Sequence, residues 1–354
     1  MDKQGHMDPE VITSLFEHGL FAIQVPEQYG GLGETLFRSV LAIEEVASFD
    51  PSLSVMIDVH NTLILRCLER WASDEQKSEW FPKLAKDTVG AFCLSEPESG
   101  SDAFALRTRA EKTDSGWLLN GSKMWITNAA EAGLFVVFAN VSPEDGYRGI
   151  STFLVPRDTE GLVIGEREQK VGLKASSTCP VTFENCEVPD NALLGEKGLG
   201  YRYAIELLNE GRIGIGAQVL GLARGAFDLA FNYLHEREQF GQRIGDFQGV
   251  QFQYADLATE LEAARLMVYN ATRLAESGED FAREAAMAKL YASETAQKVV
   301  SSSLEFFGGL GFSEENLIGK FYRDVKVGTI YEGTSNMQRL TIAKQLQSAA
   351  GFDR

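Results

Sequence analysis

Glu332 stands in the stretch Ile330-Tyr331-Glu332-Gly333-Thr334-Ser335-Asn336, a lone carboxylate in a turn just ahead of the last apolar-periodic run. Gly333 permits unusual backbone angles, and Thr334, Ser335 and Asn336 all favour helix N-caps. Met337, Leu340, Ala343 and Leu346 then recur at roughly helical spacing. Two roles are open to such an acid. It can cap the helix by accepting its free N–H groups, or it can face a ligand that uses those same groups and do chemistry on it.

Four further stretches carry residue types suited to a large polar ligand, each with a plainer reading beside it. Phe92-Cys93-Leu94-Ser95-Glu96-Pro97-Glu98-Ser99-Gly100-Ser101-Asp102 has small hydroxyls and a glycine that admit a ligand close to the backbone, or that make a polar turn. Trp125-Ile126-Thr127 puts an aromatic face beside a hydroxyl donor, or places a tryptophan in the core. Arg237-Glu238-Gln239-Phe240-Gly241, followed by Asp246-Phe247-Gln248, offers a guanidinium that could bind a pyrophosphate in fork geometry or simply be solvated. Glu305-Phe306-Phe307-Gly308-Gly309-Leu310-Gly311-Phe312 is a glycine-rich helix stop that could admit a nucleotide or turn the chain.

The elements that must position these groups fall into three parts. A chain of 354 residues has room for two or three domains at about 100 to 200 residues each. All nine prolines lie at or before Pro189, which favours long helices afterwards. There Tyr254, Leu257, Leu261, Ala264 and Val268 form a stripe within Gln251–Ser277, a window free of glycine and proline, so an antiparallel helical bundle is expected. The early region also reads as helical, through Val11-Ile12, Leu15-Phe16, Ser39–Ala47 and Val59–Trp71, broken by the loop Gln28–Gly33. Between them lie strand-like runs: Trp117–Gly121 with an Asn-Gly hairpin signal, Met124–Thr127, Leu134–Val141, Ile150–Val155 and Val181–Val188. The expected fold class is therefore α+β multidomain, with an N-terminal helical domain (1–89), a central β domain (90–193) and a C-terminal antiparallel helical bundle (194–354).

A net charge of -18 and a pI near 4.8 argue against nucleic acid or an anionic membrane as partner. Cys67, Cys93, Cys179 and Cys186 have no CxxC spacing and the four histidines are scattered, so no metal site is expected and a reducing compartment is favoured. No apolar run is long enough to span a bilayer, and residues 1–10 have neither a signal nor a transit pattern. A GxGxxG after a strand is also missing, which disfavours a nicotinamide-binding Rossmann domain.

Taken together and in order, these motifs resemble the acyl-CoA dehydrogenase family from about Val11 to Gln347. The resemblance is strongest to short/branched-chain members. Leu94-Ser95-Glu96, Asn120-Gly121-Ser122-Lys123-Met124-Trp125, Ser176-Ser177-Thr178-Cys179-Pro180, Leu208-Asn209-Glu210-Gly211-Arg212-Ile213-Gly214-Ile215 and the Tyr331-Glu332-Gly333 stretch carry it. It implies FAD between the β domain and the C-terminal bundle, a homotetramer whose neighbouring subunit completes each site, and α,β-dehydrogenation of an acyl-CoA thioester with electrons passed to electron-transfer flavoprotein. Glu332 would take the α-proton.

The resemblance further implies FAD contacts from Phe92, Cys93, Leu94, Ser95, Gly100, Ser101, Trp125, Ile126, Thr127, Glu305, Phe306, Phe307, Gly308, Gly309, Thr334, Ser335 and Asn336. Arg237, Gln239, Phe240 and Gln248 would add to these, with Arg237 and Gln248 reaching in from the partner. Ser101, Tyr147, Tyr201, Asn209, Glu210, Gly211, Arg212, Tyr331 and Gly333 would meet the substrate. Exclusion of water by the bound acyl chain should raise the Glu332 pKa, with the helix N-terminus pulling it down and the ligand-free carboxylate ionised.

The sequence departs from the family pattern at Glu305, where many relatives carry Gln. Relatives also normally carry a further helix ahead of Val11, which leaves pocket closure on that side open. Some place the base on the helix near Gly211; here Glu210 lies one residue off and Glu332 is present, so Glu332 is preferred. An acyl-CoA oxidase and a silent scaffold are the competing readings. The implied location is the mitochondrial matrix in a eukaryote and the cytoplasm otherwise.

Overall fold

A computed structural model describes residues 1–352; Asp353 and Arg354, the end of the expected C-terminal domain, lie outside the described residues. Helix α1 (Pro9–Glu17) starts where the Asp8 carboxylate accepts from the Glu10 N–H, with proline at its first position. Next come α2 (Leu36–Ala47) and α3 (Pro51–Asp58), the latter capped by Asp50. The chain then runs without a break through a π-helical turn, Val59–Leu65, into α4 (Arg66–Trp71), and α5 (Asp74–Lys86) opens on a Ser73/Gln76 capping box. π turns insert an extra residue and concentrate at functional sites. This one is fully buried, and the Thr62 hydroxyl donates to both the carbonyl and the carboxylate of Asp58, at 2.9 Å each.

His60, in the same turn, accepts from the Gly90 N–H at 3.2 Å and so joins the helical part to the first strand. Burial drives its pKa down to about 3. The unfolded chain takes up this proton near its ordinary pKa of 6.5, whereas the fold resists it. Stability is therefore expected to fall as pH drops from about 6.5 toward about 3. Denaturant midpoints measured at stepped pH for the wild type and for His60→Gln check this, and the variant should lose this component of the pH dependence.

The central part contains β1 (Val89–Cys93), β2 (Arg109–Lys112), β3 (Gly116–Thr127), β4 (Ala132–Asn140), β5 (Ile150–Pro156), β6 (Leu162–Ile164), β7 (Thr178–Pro189) and β8 (Leu193–Leu194). They form one mixed sheet in the order β6-β7-β3-β2-β4-β5-β8, with β1 parallel to β4. Period-two alternation splits β4 between two cores: Leu134, Val136 and Phe138 pack toward the helices, while Phe135, Val137 and Ala139 pack with Phe153, Val155 and Phe183 on the other face.

The Asn-Gly hairpin expected at Asn120-Gly121 does not form. β3 continues straight through it, with a register shift against β7 between Leu119 and Gly121. Gly121 has φ +148°, and a Cβ there would lie 2.5 Å from the Thr108 hydroxyl, so this glycine serves a bulge against β7 where Thr108 passes close by, rather than a turn. The reversal lies earlier, where the Thr113 N–H donates to the Gly116 carbonyl at 2.9 Å.

The C-terminal part is built on α6 (Gly200–Glu236), which packs against α2. A short hairpin, β9 (Glu238–Gln239) and β10 (Gln242–Arg243), leads to α7 (Gln248–Glu276) and α8 (Ala282–Phe306). Helices α9 (Leu317–Asp324) and α10 (Ser335–Ala349) complete it. The stripe expected on α7 is inward-facing, with Leu257, Leu261, Ala264 and Val268 buried. The stripe on α10 is not: Leu340 and Leu346 are exposed, and the buried residue of that helix is Gln338.

Candidate active site

Thr334, not Glu332, caps α10, its hydroxyl accepting from the Met337 N–H at 3.3 Å. That removes the capping-acid reading. Glu332 sits in the left-handed region at φ +50°, a conformation costly for a residue with a side chain, and Gly333 follows at φ +85°. The turn is held from behind. The buried Gln338 amide donates to the carbonyls of Glu332 (3.0 Å) and Gly333 (2.8 Å), and Lys289 Nζ donates to Gly333 at 2.8 Å. The residue as a whole is half-buried, yet its Oε2 is closed off from solvent and has no hydrogen-bond partner.

The space around that oxygen is made by glycine. A Cβ at Gly211 on α6 would lie 2.8 Å from Glu332 Oε2 and 3.2 Å from a methyl of Leu63 in the π turn. A side chain at Gly211 would thus occupy the same point in space as the Glu332 carboxylate. Burial raises the Glu332 pKa above the ordinary carboxylate range, and the positive charges of Lys289 and Arg212 oppose that rise. Part of the desolvation expected from a bound ligand is thus already present, because Oε2 is closed off from solvent.

Asp58 is also buried. Its pKa is pushed well up, first by burial and then by the Glu332 charge, against the Thr62 hydrogen bond. It lies so close to α6 that a Cβ at Gly214 would overlap its Oδ1 at 1.9 Å. The Tyr331 hydroxyl donates to Gln218, whose amide donates to the Pro51 carbonyl at 2.9 Å, tying the turn to α6 and α3.

The expected flavin contacts occupy a second surface. Leu94–Ser101 follows β1 and is pinned to β3: the Met124 N–H donates to the Ser95 carbonyl at 2.9 Å, and the fully buried Lys123 reaches the Leu94 carbonyl (3.2 Å) and the Glu96 carboxylate (2.8 Å). Glu96 also accepts from the Thr108 N–H and hydroxyl. Trp125 is not a core residue. It is 57% exposed at φ +64°, lifted outward where β3 shifts register against β7, while Ile126 beside it is buried.

These features fit a large planar ligand with phosphates: an outward aromatic, open space at Gly100, Gly308 and Gly309, and an enclosed Ser335 hydroxyl without a partner. Cys93 is fully buried and can offer only backbone; Phe92, Thr127, Phe306 and Phe307 are half-buried, and Phe307 stacks on Tyr233 at 4.5 Å. Ser101, Glu305 and Asn336 are exposed. Arg237, Gln239, Phe240 and Gln248 all project outward around the β9–β10 hairpin, Phe240 at 95% exposure. Among the described residues no hydrogen bond connects their side chains to the Ser95 loop or to Trp125.

On the expected substrate side, Tyr147 and Tyr201 meet edge to face at 5.0 Å, and Phe104 lies against Tyr201 at 6.4 Å. Arg212 is largely enclosed; it donates to Asn209 and its Nε is buried without a partner. Glu210 departs from its expected role. Its carboxylate, fully buried, accepts from Arg66 Nε at 2.7 Å and pairs with Arg70, which ties α6 to α4. Two guanidiniums saturate it, so it is a clamp between helices and not a free ligand for substrate. Sequence reasoning missed Asp58, Gln338 and Lys289. Only Lys289 left a signal, as a lysine among Ala285, Ala286, Ala288 and Ala292 on a buried helix face.

A buried carboxylate against a helix glycine, an outward aromatic near open glycines and a helical–β–helical frame fit a flavin-dependent dehydrogenase. Three family models match in register with that frame: the acyl-CoA dehydrogenase N-terminal domain over residues 1–88, the middle domain over 91–186 and the C-terminal domain over 198–347. The rat mitochondrial short/branched chain specific acyl-CoA dehydrogenase is 53% identical, over 98% of this chain and 81% of that protein. An acyl-CoA dehydrogenase of Bacillus subtilis is 42% identical, over 98% of this chain and 92% of that one. The solved butyryl-CoA dehydrogenase of Megasphaera elsdenii superposes with a TM-score of 0.95 at 36% identity, covering 98% of this chain and 91% of that one. The chain belongs to the acyl-CoA dehydrogenase family. It is an FAD-dependent enzyme that dehydrogenates acyl-CoA thioesters.

Proposed function

We propose that the chain oxidises short or short-branched acyl-CoA thioesters to trans-2-enoyl-CoA with Glu332 as the base. The observation that carries this reading is the Glu332 carboxylate: enclosed, without a hydrogen bond on Oε2, and facing the gap that Gly211 leaves open. A carbon acid needs a base whose pKa lies near the working pH, and burial moves Glu332 in that direction. Lys289 and Arg212 keep the ionised form accessible. FAD, when bound, supplies the acceptor for the β-hydrogen that leaves with its electron pair. The chain's own task is to hold the α-carbon beside Glu332, receive its proton there and exclude water.

For the cofactor, Ser95, Trp125, Thr127, Gly308, Gly309 and Ser335 are the holding residues we assign. Arg237, at the end of α6, and Gln248, at the start of α7, stand exposed on either side of the β9–β10 hairpin, which supports a homotetramer in which this segment serves a neighbour's site. Arg212, Tyr147 and Tyr201 are assigned to the thioester. Electron-transfer flavoprotein is the proposed acceptor, with the mitochondrial matrix as the location in a eukaryote and the cytoplasm otherwise; the similarity to both rat and bacterial enzymes is compatible with either.

The test is an anaerobic panel of acyl-CoA thioesters varied in length and branching, added to the purified yellow holoenzyme. Short and methyl-branched thioesters are expected to bleach the flavin fastest. Preference for long straight chains, or peroxide formation outpacing reduction of an electron-transfer flavoprotein, would overturn the assignment.

A further inference from the structure

Lys289 lies on α8, 43 residues before Glu332 in the sequence, and is 0% exposed. A buried ammonium is normally matched by a carboxylate at ion-pair distance, because taking it out of water costs several kcal/mol. Among the described residues Lys289 has no such partner. Its recorded bond is to a neutral group, the Gly333 carbonyl, at 2.8 Å. That carbonyl belongs to the residue just after Glu332, in a turn where two successive residues have positive φ.

We propose that Lys289 is the positioning residue of the catalytic carboxylate: its ammonium locks the left-handed Glu332–Gly333 turn through the Gly333 carbonyl and supplies the charge against which Glu332 ionises. The inference rests on the reading of Glu332 as the base.

Two observations support it together. The turn is strained, and among the described residues only Lys289 and the Gln338 amide donate to the Gly333 carbonyl, so removing the lysine loosens one of two restraints. The electrostatic surroundings are also few and named. Asp58 faces Glu332 from α3, Arg212 from α6 and Lys289 from α8, with the Tyr331 phenol beside it on the same turn. Asp58 works against a charged Glu332, while Arg212 and Lys289 favour it. Of the two positive charges, Lys289 lowers the Glu332 pKa more than Arg212 does. Its own pKa is pulled down to about 8, burial outweighing the attraction of Glu332.

The experiment uses FAD-loaded Lys289→Met and Lys289→Gln and follows flavin bleaching by a short acyl-CoA from pH 5 to 9. Both variants remove the charge; glutamine retains a donor for the Gly333 carbonyl. The acid side of the rate–pH profile is expected to move up by about one pH unit in both, equivalent to a roughly tenfold loss of rate on that side. Lys289→Met should show an additional loss that persists at high pH, because the turn is also released. A profile with unmoved acid side in variants that still hold FAD would overturn the proposal, and Lys289→Gln decides the question if Lys289→Met fails to fold. Glu332→Gln, run alongside, separates the two readings. If it bleaches at the wild-type rate, the base assignment fails; if it is silent while both Lys289 variants keep the wild-type profile, the Lys289 inference alone fails.

Discussion

Glu332→Gln is expected to fold, to keep its yellow FAD and to bleach with substrate roughly 100- to 10,000-fold more slowly, the range a positioned general base contributes. Glutamine has nearly the same volume, and Gln338 and Lys289 hold the turn through backbone carbonyls, which the substitution leaves in place. The effect should therefore fall on chemistry and not on folding. Stability is expected to move the other way. An acid whose pKa is raised in the fold contributes fully only below its unfolded pKa, and that contribution is lost as pH rises through the folded value. At neutral pH, above its unfolded pKa, the buried Glu332 weakens the fold, so Glu332→Gln should melt no lower than the wild type, and the gap should close as pH falls. Stopped-flow bleaching and calorimetry across pH check the two halves separately. Rapid bleaching in the variant would move the base elsewhere.

Gly211→Ala is expected to lose roughly a hundredfold in flavin reduction while changing stability little. The new methyl would sit 2.8 Å from Glu332 Oε2 and 3.2 Å from Leu63. Both are ends of flexible side chains, so a small movement relieves the clash without disturbing α6. That same movement displaces the base, and a shift on the order of 1 Å can cost about a hundredfold in rate. Alanine also favours the helix over glycine by up to about 1 kcal/mol, which offsets part of the strain. Gly214→Ala offers a contrast. Its methyl would overlap Asp58 Oδ1 at 1.9 Å, in a carboxylate already fixed by Thr62, and should unsettle α3 itself. A wild-type melting temperature with lost activity in Gly211→Ala, beside a lowered melting temperature in Gly214→Ala, supports this account; a Gly211→Ala enzyme of full activity would contradict it.

In two segments the local pattern leaves the outcome open, for related reasons. Asn120-Gly121 looked like a turn because the pair tolerates positive φ, but the same tolerance serves a bulge when Thr108 crosses beside it. The helical spacing of Met337, Leu340, Ala343 and Leu346 gives a helix, yet Leu340 and Leu346 are exposed and the buried position is the polar Gln338. Local propensity records which conformations a segment can adopt, and neighbours choose among them.

By itself the sequence determined the three-part layout, the α7 stripe, most of the long strands and the acid in the Tyr331-Glu332-Gly333 turn, since these depend on periodicity, on proline placement and on motifs read along the chain. Only the tertiary structure decided what that acid does. Thr334 and Glu332 are equally plausible caps on paper, and it took the fold to give the cap to Thr334 and leave Oε2 unpaired. The groups that set its charge, Asp58, Arg212 and Lys289, come from three helices distant in sequence, and Coulomb interactions and desolvation depend on distance in space. For the same reason Glu210, one residue from a known base position, turned out to be held by Arg66 and Arg70 on the far side of α6's glycine.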